Sequence, residues 1–361
     1  MGATRRLTEL LRHQEPQPVW EALRELVAGR GRGEGVSDAA LLNAASRGHV
    51  LALVTSLRPD LAAGAARELA AESFVQLHIT RAQEQLAALL ERLELTRRPV
   101  LLKGNATAHL IYDTPALRAT LDIDLLVAER DFALVLAALR EGGWQDSAPL
   151  LFSAVNAGDA YEHPVARDFG PVRVGCDLHR RLTRGIRFRV DHAGILARAV
   201  ELPGVPLPLC HPEDALLHTA LHAATSHFAV PLKAWVDLLR LCAHPSVRMA
   251  RVGARARDWR VSGALWACLR VISRWFDAPL DPAVMQALRP DEPTARALDW
   301  LLAGRGATPL RHGLQLREAQ LLAGPLVADG LIPRAAWFGE TLQLFIRSRL
   351  ARRSRSFPDP D

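Results

Sequence analysis

The spacing of apolar residues divides the chain into a strand-forming centre and helical flanks. Leu and Ala recur every three or four positions through residues 1–98, and the same helical period returns over residues 203–350. Between them, residues 99–202 contain short apolar runs of the length of buried strands. The pattern predicts an α+β protein, with a small mixed-sheet core flanked by N-terminal helices and a C-terminal helical region. We expect the basic, then Pro/Asp-rich residues 351–361 to form a flexible tail.

Two carboxylates interrupt an apolar run in the centre of the core. In LDIDLLV, residues 121–127, Asp122 and Asp124 are separated by one residue. Side chains at i and i+2 of a strand point to the same side, so the two carboxylates share one face. Like charges this close repel each other unless a cation lies between them. A divalent ion such as Mg²⁺ would remove the conflict, whereas the structural alternative is a strand end where both side chains reach solvent.

A glycine turn precedes this strand. The apolar run 99–103 ends at Gly104, and residues 105–112 are predicted to form a helix of about two turns. The free N–H groups at a helix start bind phosphate, and glycine allows a close approach of the backbone. Lys103, one of only two lysines in the chain, would add a compact positive charge, or else it faces water at a strand end. Arg118 either pairs with phosphate or is an ordinary loop arginine.

These motifs resemble a known family. A glycine turn after a strand, followed by a strand of the form hDhDh (h apolar), is typical of the DNA polymerase β-like nucleotidyltransferase superfamily. Over residues 99–144, LLKG, Tyr112, Arg118 and DIDLLV together are similar to the bacterial uncharacterised nucleotidyltransferase family within it. The resemblance continues more thinly to about residue 240. It implies that residues 99–202 form a nucleotidyltransferase core.

The resemblance also implies a third acidic residue on a later strand. VRVGCDLH, residues 172–179, alternates with period two, which places Asp177 and His179 on one face of a predicted strand. Asp177-Leu178-His179 matches an acidic-X-His pair of the family, although a solvated aspartate on an edge strand is the alternative. By this resemblance Asp122, Asp124 and Asp177 are the catalytic residues and the ligands of Mg²⁺, with Mn²⁺ as an alternative ion. His179 would contact phosphate, support the metal site or cap the strand.

The implied reaction is transfer of a nucleoside monophosphate from an NTP to a hydroxyl-bearing acceptor, with release of pyrophosphate. ATP is one candidate donor, and a small molecule is the favoured acceptor, with RNA or protein as alternatives. Two other functions stay open: a toxin-type modifier of tRNA or protein, and a catalytically silent nucleotide-binding or scaffold protein. The expected nucleotide- and phosphate-binding residues are Lys103, Gly104, Asn105, Arg118 and His179.

Composition narrows this picture only a little. The net charge of +6 favours anionic ligands but does not by itself indicate nucleic-acid binding. The four cysteines are scattered without a C-x-x-C pair, which supports neither a structural zinc site nor a disulfide framework. No apolar run is long enough to span a bilayer. We therefore expect a cytoplasmic protein with no membrane partner.

Several other polar residues have structural explanations. The polar, proline-containing segment 161–168 is predicted to be a loop facing the site. His218 and His222 share one helix face at i and i+4, which is a weak signal for zinc. Lys233 and Asp237 have the same spacing, so they either reach the site or form an ion pair on a helix surface.

Overall fold

A five-stranded mixed sheet forms the centre of the protein in a computed structural model that describes residues 16–147, 161–183, 187–311, 316–330, 334, 335, 337 and 339. The strands lie in the order β1-β2-β5-β4-β3. β2 and β5 run parallel, and the other neighbouring pairs are antiparallel. The strands are β1 (Val100–Leu101), β2 (Asp122–Leu126), β3 (Gln145–Asp146), β4 (Glu162–Phe169) and β5 (Val172–His179).

Helices precede and interrupt the sheet. The helix before β1, α4, packs against β2 and β5, and its long apolar period reflects that contact. A side-chain cap starts α2, where the Ser37 hydroxyl accepts a hydrogen bond from the Ala40 N–H. The helices are α1 (Gln17–Val27), α2 (Asp38–Arg47), α3 (Leu51–Leu57), α4 (Ala66–Leu90), α5 (Lys103–Ile111) and α6 (Phe132–Glu141).

The chain after the sheet is helical in its described parts. Two of these helices, α8 and α9, contact α5 and so cover the end of the sheet that carries the carboxylates. The apolar side chains of sheet and helices join one continuous buried cluster. The helices are α7 (His192–Ala197), α8 (Pro212–Thr225), α9 (Leu232–Ala243), α10 (Met249–Asp258), α11 (Ser262–Phe276), α12 (Pro282–Leu288), α13 (Glu292–Leu301) and α14 (Leu316–Val327).

The α+β class predicted from apolar spacing is confirmed, since helices precede and follow a mixed sheet along the chain. The predicted strands at 121–127 and 172–179 are present as β2 and β5. The predicted tail, residues 351–361, lies outside the described residues. No helix in the described part of the chain is long and apolar enough to cross a membrane.

The prediction of a loop at residues 161–168 is wrong, because this segment forms β4 between β5 and β3. Val165 and Ala166 are buried in the sheet, and the ladder continues past Pro164, which lies opposite Asp177. Pairing with both neighbours therefore outweighs the polar composition and the missing proline N–H that favoured a loop.

Candidate functional site

The register of the two parallel strands brings the predicted carboxylates to one face of the sheet. Asp124 of β2 lies opposite Asp177 of β5, and Asp122 lies opposite Gly175. Partners in a ladder point to the same face, as do residues two apart on one strand. The three aspartates therefore share a face of two neighbouring strands. Asp122 is exposed, Asp177 is half-buried and Asp124 is buried.

Asp124 is the centre of a polar network. Lys103 donates from Nζ to its Oδ1 at 2.6 Å, and His179 Nε2 lies 2.9 Å from the same oxygen. An ionised carboxylate only accepts hydrogen bonds, so His179 Nε2 carries the proton in this contact. Burial by itself would raise the pKa of Asp124, but the charge of Lys103 and the hydrogen bond from His179 outweigh it and hold that pKa well below its usual range. Asp124 is therefore a carboxylate at neutral pH.

The other two aspartates have raised pKa values. Desolvation, followed by the charge of Asp124, raises the pKa of Asp122. For Asp177 the causes are desolvation, the charge of Asp124 and then that of Glu162, and its pKa rises to about 7. The basic side chains around the three aspartates therefore do not fully compensate the negative charge on this face of the sheet.

The donor set suits a hard divalent cation. Carboxylate oxygens are the ligands that Mg²⁺ prefers, and the raised pKa values of Asp122 and Asp177 indicate negative charge that such an ion would neutralise. Among the described residues, no three His, Cys, Asp or Glu side chains are already arranged around one point as metal ligands. Lys103 and His179 both contact Oδ1 of Asp124, and within the described chain Oδ2 accepts no hydrogen bond, so this oxygen is available to a cation.

The turn before α5 is tighter than the sequence predicts. The helix begins at Lys103 instead of Asn105, and Lys103 has a φ of 43°, in the left-handed region that disfavours side chains. The ion pair with Asp124 holds Lys103 in this conformation. Asn105 is buried; its amide donates to the Asp122 carbonyl oxygen at 2.7 Å and accepts from Gln83 of α4. The Asn105 side chain therefore fastens the turn to β2 and α4, and its predicted contact with phosphate stays a prediction.

Arg118 lies beside the same turn but is already paired. Its Nη2 donates to Asp237 Oδ2 at 2.7 Å, and its Nε contacts both oxygens of that carboxylate at 3.0 Å. The Tyr112 hydroxyl donates to Asp237 Oδ1 at 2.8 Å. A Cβ atom at Gly104 would lie 3.0 Å from Nη1 of Arg118, so the glycine makes room for the guanidinium. The Lys233–Asp237 ion pair considered from the sequence is replaced by the Arg118–Asp237 pair.

A cavity of about 200 Å³ opens beside the carboxylate face, between β2 and the helices α8 and α9. Its walls combine cationic, acidic and apolar side chains. They are Lys103, Gly104, Arg118, Thr120, Leu121, Asp122, Asp124, Thr219, His222, Val230, Pro231, Lys233, Ala234 and Asp237.

Half of this wall consists of residues that the sequence analysis did not place in the site. Thr219 and His222 come from α8, Val230 and Pro231 directly precede α9, and Ala234 lies in its first turn. Burial, with the charge of Lys103 second, lowers the pKa of His222 to about 3, so His222 is neutral at physiological pH. The i, i+4 spacing of His218 and His222 was the available signal, but it suggested zinc and gave no indication of a pocket wall.

A comparison with family models assigns the chain to a class of proteins, the nucleotidyltransferases. The model of the family described as "Uncharacterised nucleotidyltransferase" matches residues 34–277, and the chain belongs to this family. The match runs from before α2 to the end of α11 and so includes the sheet and both helices of the pocket. It confirms the resemblance at the level of the family and of nucleotide transfer in general. The wider superfamily and the bacterial origin stay predictions.

No curated protein matches the chain.

Proposed function

We propose that this protein is a Mg²⁺-dependent enzyme that transfers a nucleoside monophosphate from an NTP to a hydroxyl group of an acceptor and releases pyrophosphate. The observation that carries the proposal is the position of Asp122, Asp124 and Asp177 on one face of β2 and β5, beside a cavity that reaches the Gly104 turn. The family match supports nucleotide transfer in general.

The three aspartates would hold the metal ion. When bound, Mg²⁺ would neutralise charge on the phosphates and polarise the phosphorus that is attacked, and Mn²⁺ would serve the same purpose. Lys103 and His179 fix Oδ1 of Asp124 and keep this carboxylate ionised. The strained turn at Lys103 would thus orient the carboxylate of Asp124 toward the metal ion. The same turn begins a helix whose free N–H groups suit phosphate.

Asp177 is the proposed general base. In the reaction the acceptor oxygen attacks the α-phosphorus, the bond from that phosphorus to pyrophosphate breaks, and the hydroxyl proton passes to Asp177. Desolvation and the charge of Asp124 raise the pKa of Asp177 to about 7 in the metal-free protein, and a bound cation would lower it, so that Asp177 would be ionised and able to accept a proton near neutral pH. His179, on the same strand, would contribute through Asp124 or through a phosphate.

A small molecule is the proposed acceptor. The cavity holds about 200 Å³ and is bounded by α8 and α9, which suits a group of a small ligand better than a nucleic-acid duplex.

The test is the thermal stability of the full chain with each of the four NTPs, with and without Mg²⁺. A ligand at 100 times its Kd adds about 2.7 kcal/mol, which is easily visible in a melting curve. We expect a Mg²⁺-dependent shift with at least one NTP, and pyrophosphate release once an acceptor is supplied.

The variant Asp122→Asn should lose that shift, whereas Asp168→Asn should keep it. Asp168 is a matched control because it is an exposed aspartate on β4 of the same sheet, outside the cavity. Absence of a Mg²⁺-dependent shift with all four NTPs would contradict the proposal and favour a catalytically silent scaffold.

A further inference from the structure

Of the basic residues around the pocket, we infer that Lys233 is the one that binds the phosphate groups of the nucleotide. The inference rests on the proposed function. It assigns Lys103 and Arg118, the two basic residues next to the glycine turn, to holding the protein's own carboxylates.

Lys103 is neutralised by the protein. Its Nζ lies 2.6 Å from Oδ1 of Asp124, a buried carboxylate. Withdrawing Lys103 to bind a ligand would leave Asp124 buried without its cation, which is a costly arrangement. Lys103 therefore stays with Asp124 while the pocket fills.

Arg118 is committed in the same way. Its guanidinium makes a two-oxygen contact with Asp237, and both side chains are almost fully buried. Tyr112 also binds Asp237, so this acid and base are joined in a closed cluster. The positive charge of Arg118 is thereby compensated before any ligand arrives.

Lys233 differs from both. It lies at the start of α9, lines the cavity and makes no ion pair with any described residue. The contact of its Nζ with protein is to a neutral group, the Ala119 carbonyl oxygen, at 3.4 Å. A half-buried ammonium with no carboxylate at ion-pair distance loses hydration that an incoming anion would replace. Burial, with the charge of Arg118 second, lowers its pKa, and the charges of Asp122, Asp237 and Glu72 oppose this shift without forming an ion pair.

The position of Lys233 suits a polyphosphate. Asp122, a proposed metal ligand, and Lys233 line the same cavity from β2 and α9 respectively. Phosphates between them would meet the proposed cation site on one side and the ammonium group on the other. His222 adds a neutral imidazole to the same wall. A phosphorylated acceptor shares this chemistry with the NTP, so the experiment must separate the two.

The experiment is calorimetric titration of the full chain at pH 7 with two ligands. One is inorganic tripolyphosphate, and the other is the Mg²⁺ complex of the NTP that raises the melting temperature in the test of the proposed function. Lys233→Met should weaken both ligands by about tenfold or more, as expected for loss of a charged contact. Arg92→Met is the matched control, because it removes one positive charge from an exposed side chain outside the cavity, and it should change neither affinity by more than about twofold. The melting temperature of ligand-free Lys233→Met should equal or exceed that of the wild type, since no ion pair is lost.

Unchanged affinities in Lys233→Met, with Mg²⁺-dependent NTP binding still lost in Asp122→Asn, would overturn the inference and leave the proposed function standing. Weaker tripolyphosphate binding with unchanged NTP binding would assign the phosphate site to the acceptor and also overturn it. If the wild type binds tripolyphosphate through Lys233 but binds no NTP, Lys233 forms a phosphate-binding site, but the proposed function fails and the assignment of this site to a nucleotide fails with it. A lower melting temperature of ligand-free Lys233→Met, with unchanged affinities, would make Lys233 a structural residue.

Discussion

Arg118 and Asp237 lie 119 positions apart in the sequence and form a buried two-oxygen ion pair, with 8% and 3% of their side chains exposed. One partner precedes the strand that carries the carboxylates, and the other belongs to α9. The pair therefore fastens the C-terminal helices to the turn at Gly104, and through it fixes one wall of the cavity.

Replacing Asp237 by Asn should destabilise the protein strongly. Removing one partner of a buried pair leaves an uncompensated charge and costs about 3–5 kcal/mol. Urea unfolding of Asp237→Asn should show this loss. In the exposed pair Arg173–Asp168, Asp168→Asn should cost less than about 1 kcal/mol. Equal losses in the two variants would contradict the view that the buried pair holds α9 in place.

Gly104→Ala should perturb the turn through Arg118. The new Cβ would lie 3.0 Å from both Arg118 Nη1 and Thr120 Cγ2, and the ion pair with Asp237 prevents the guanidinium from moving away. We expect a stability loss of about 1–3 kcal/mol, as for overpacking, together with weaker NTP binding.

Gly253→Ala in α10 is the control for the glycine substitution. Its Cβ would meet only ordinary contacts at 3.9 and 4.0 Å, so alanine should be neutral or stabilising by up to about 1 kcal/mol. If Gly104→Ala unfolds and binds NTP like the wild type, Arg118 is free to shift and the proposed tight packing is wrong.

Because the pKa of Asp177 is raised in the folded protein, the metal-free protein should become less stable as the pH rises. Between its ordinary value of 3.8 and about 7, the folded protein keeps a proton on Asp177 that the unfolded chain releases. In the absence of metal, this group therefore lowers the free energy of unfolding as the pH rises through that window. Asp177→Asn should be more stable than the wild type at pH 8, by up to about 4 kcal/mol, and close to it near pH 4.

Mg²⁺ provides the control for Asp177. At pH 8 the ion should raise the melting temperature of the wild type and have a much smaller effect on Asp177→Asn, because a proposed ligand carboxylate is missing. An Asp177→Asn variant that is less stable than the wild type at pH 8 would show that Asp177 makes a stabilising contact instead.

Tripolyphosphate binding should weaken as the pH rises above about 8. Burial and Arg118 lower the pKa of Lys233 to about 8, despite the opposing charges of Asp122, Asp237 and Glu72, so the ammonium form is lost above that pH. The affinity should fall by up to about tenfold per pH unit, as calorimetry from pH 7 to 9.5 would show. The Lys233→Met variant should give a nearly flat profile, and a flat profile in the wild type would exclude Lys233 as the titrating contact.

The features predicted correctly from the sequence are those set by local periodicity. Alternation with period two places Asp122 with Asp124, and Asp177 with His179, and the sheet keeps both pairs on shared faces. The family resemblance added that β2 and β5 belong together. Neither the alternation nor the helix periods required knowledge of a distant part of the chain.

Local periodicity does not predict which residues form ion pairs and hydrogen bonds with the charged and polar side chains. Asp237 has Lys233 four residues away on its own helix, yet it pairs with Arg118, because the guanidinium reaches it across the interface between α9 and the turn. Asn105 binds β2 and α4 because both pack around the turn. Such choices depend on tertiary contacts between segments far apart in sequence, and so does the wall that α8 and α9 add to the cavity.

The two lysines of the chain, Lys103 and Lys233, line the same cavity, and every other basic side chain is an arginine or a histidine. Reagents that acylate amines would therefore find no lysine target on the rest of the surface. Lys103 is held as an ammonium ion by Asp124, whereas Lys233 releases its proton more readily. Among the lysines, a mild acylating probe is therefore selective for Lys233, and protection of Lys233 by a nucleotide would report occupancy of the pocket before any acceptor is known.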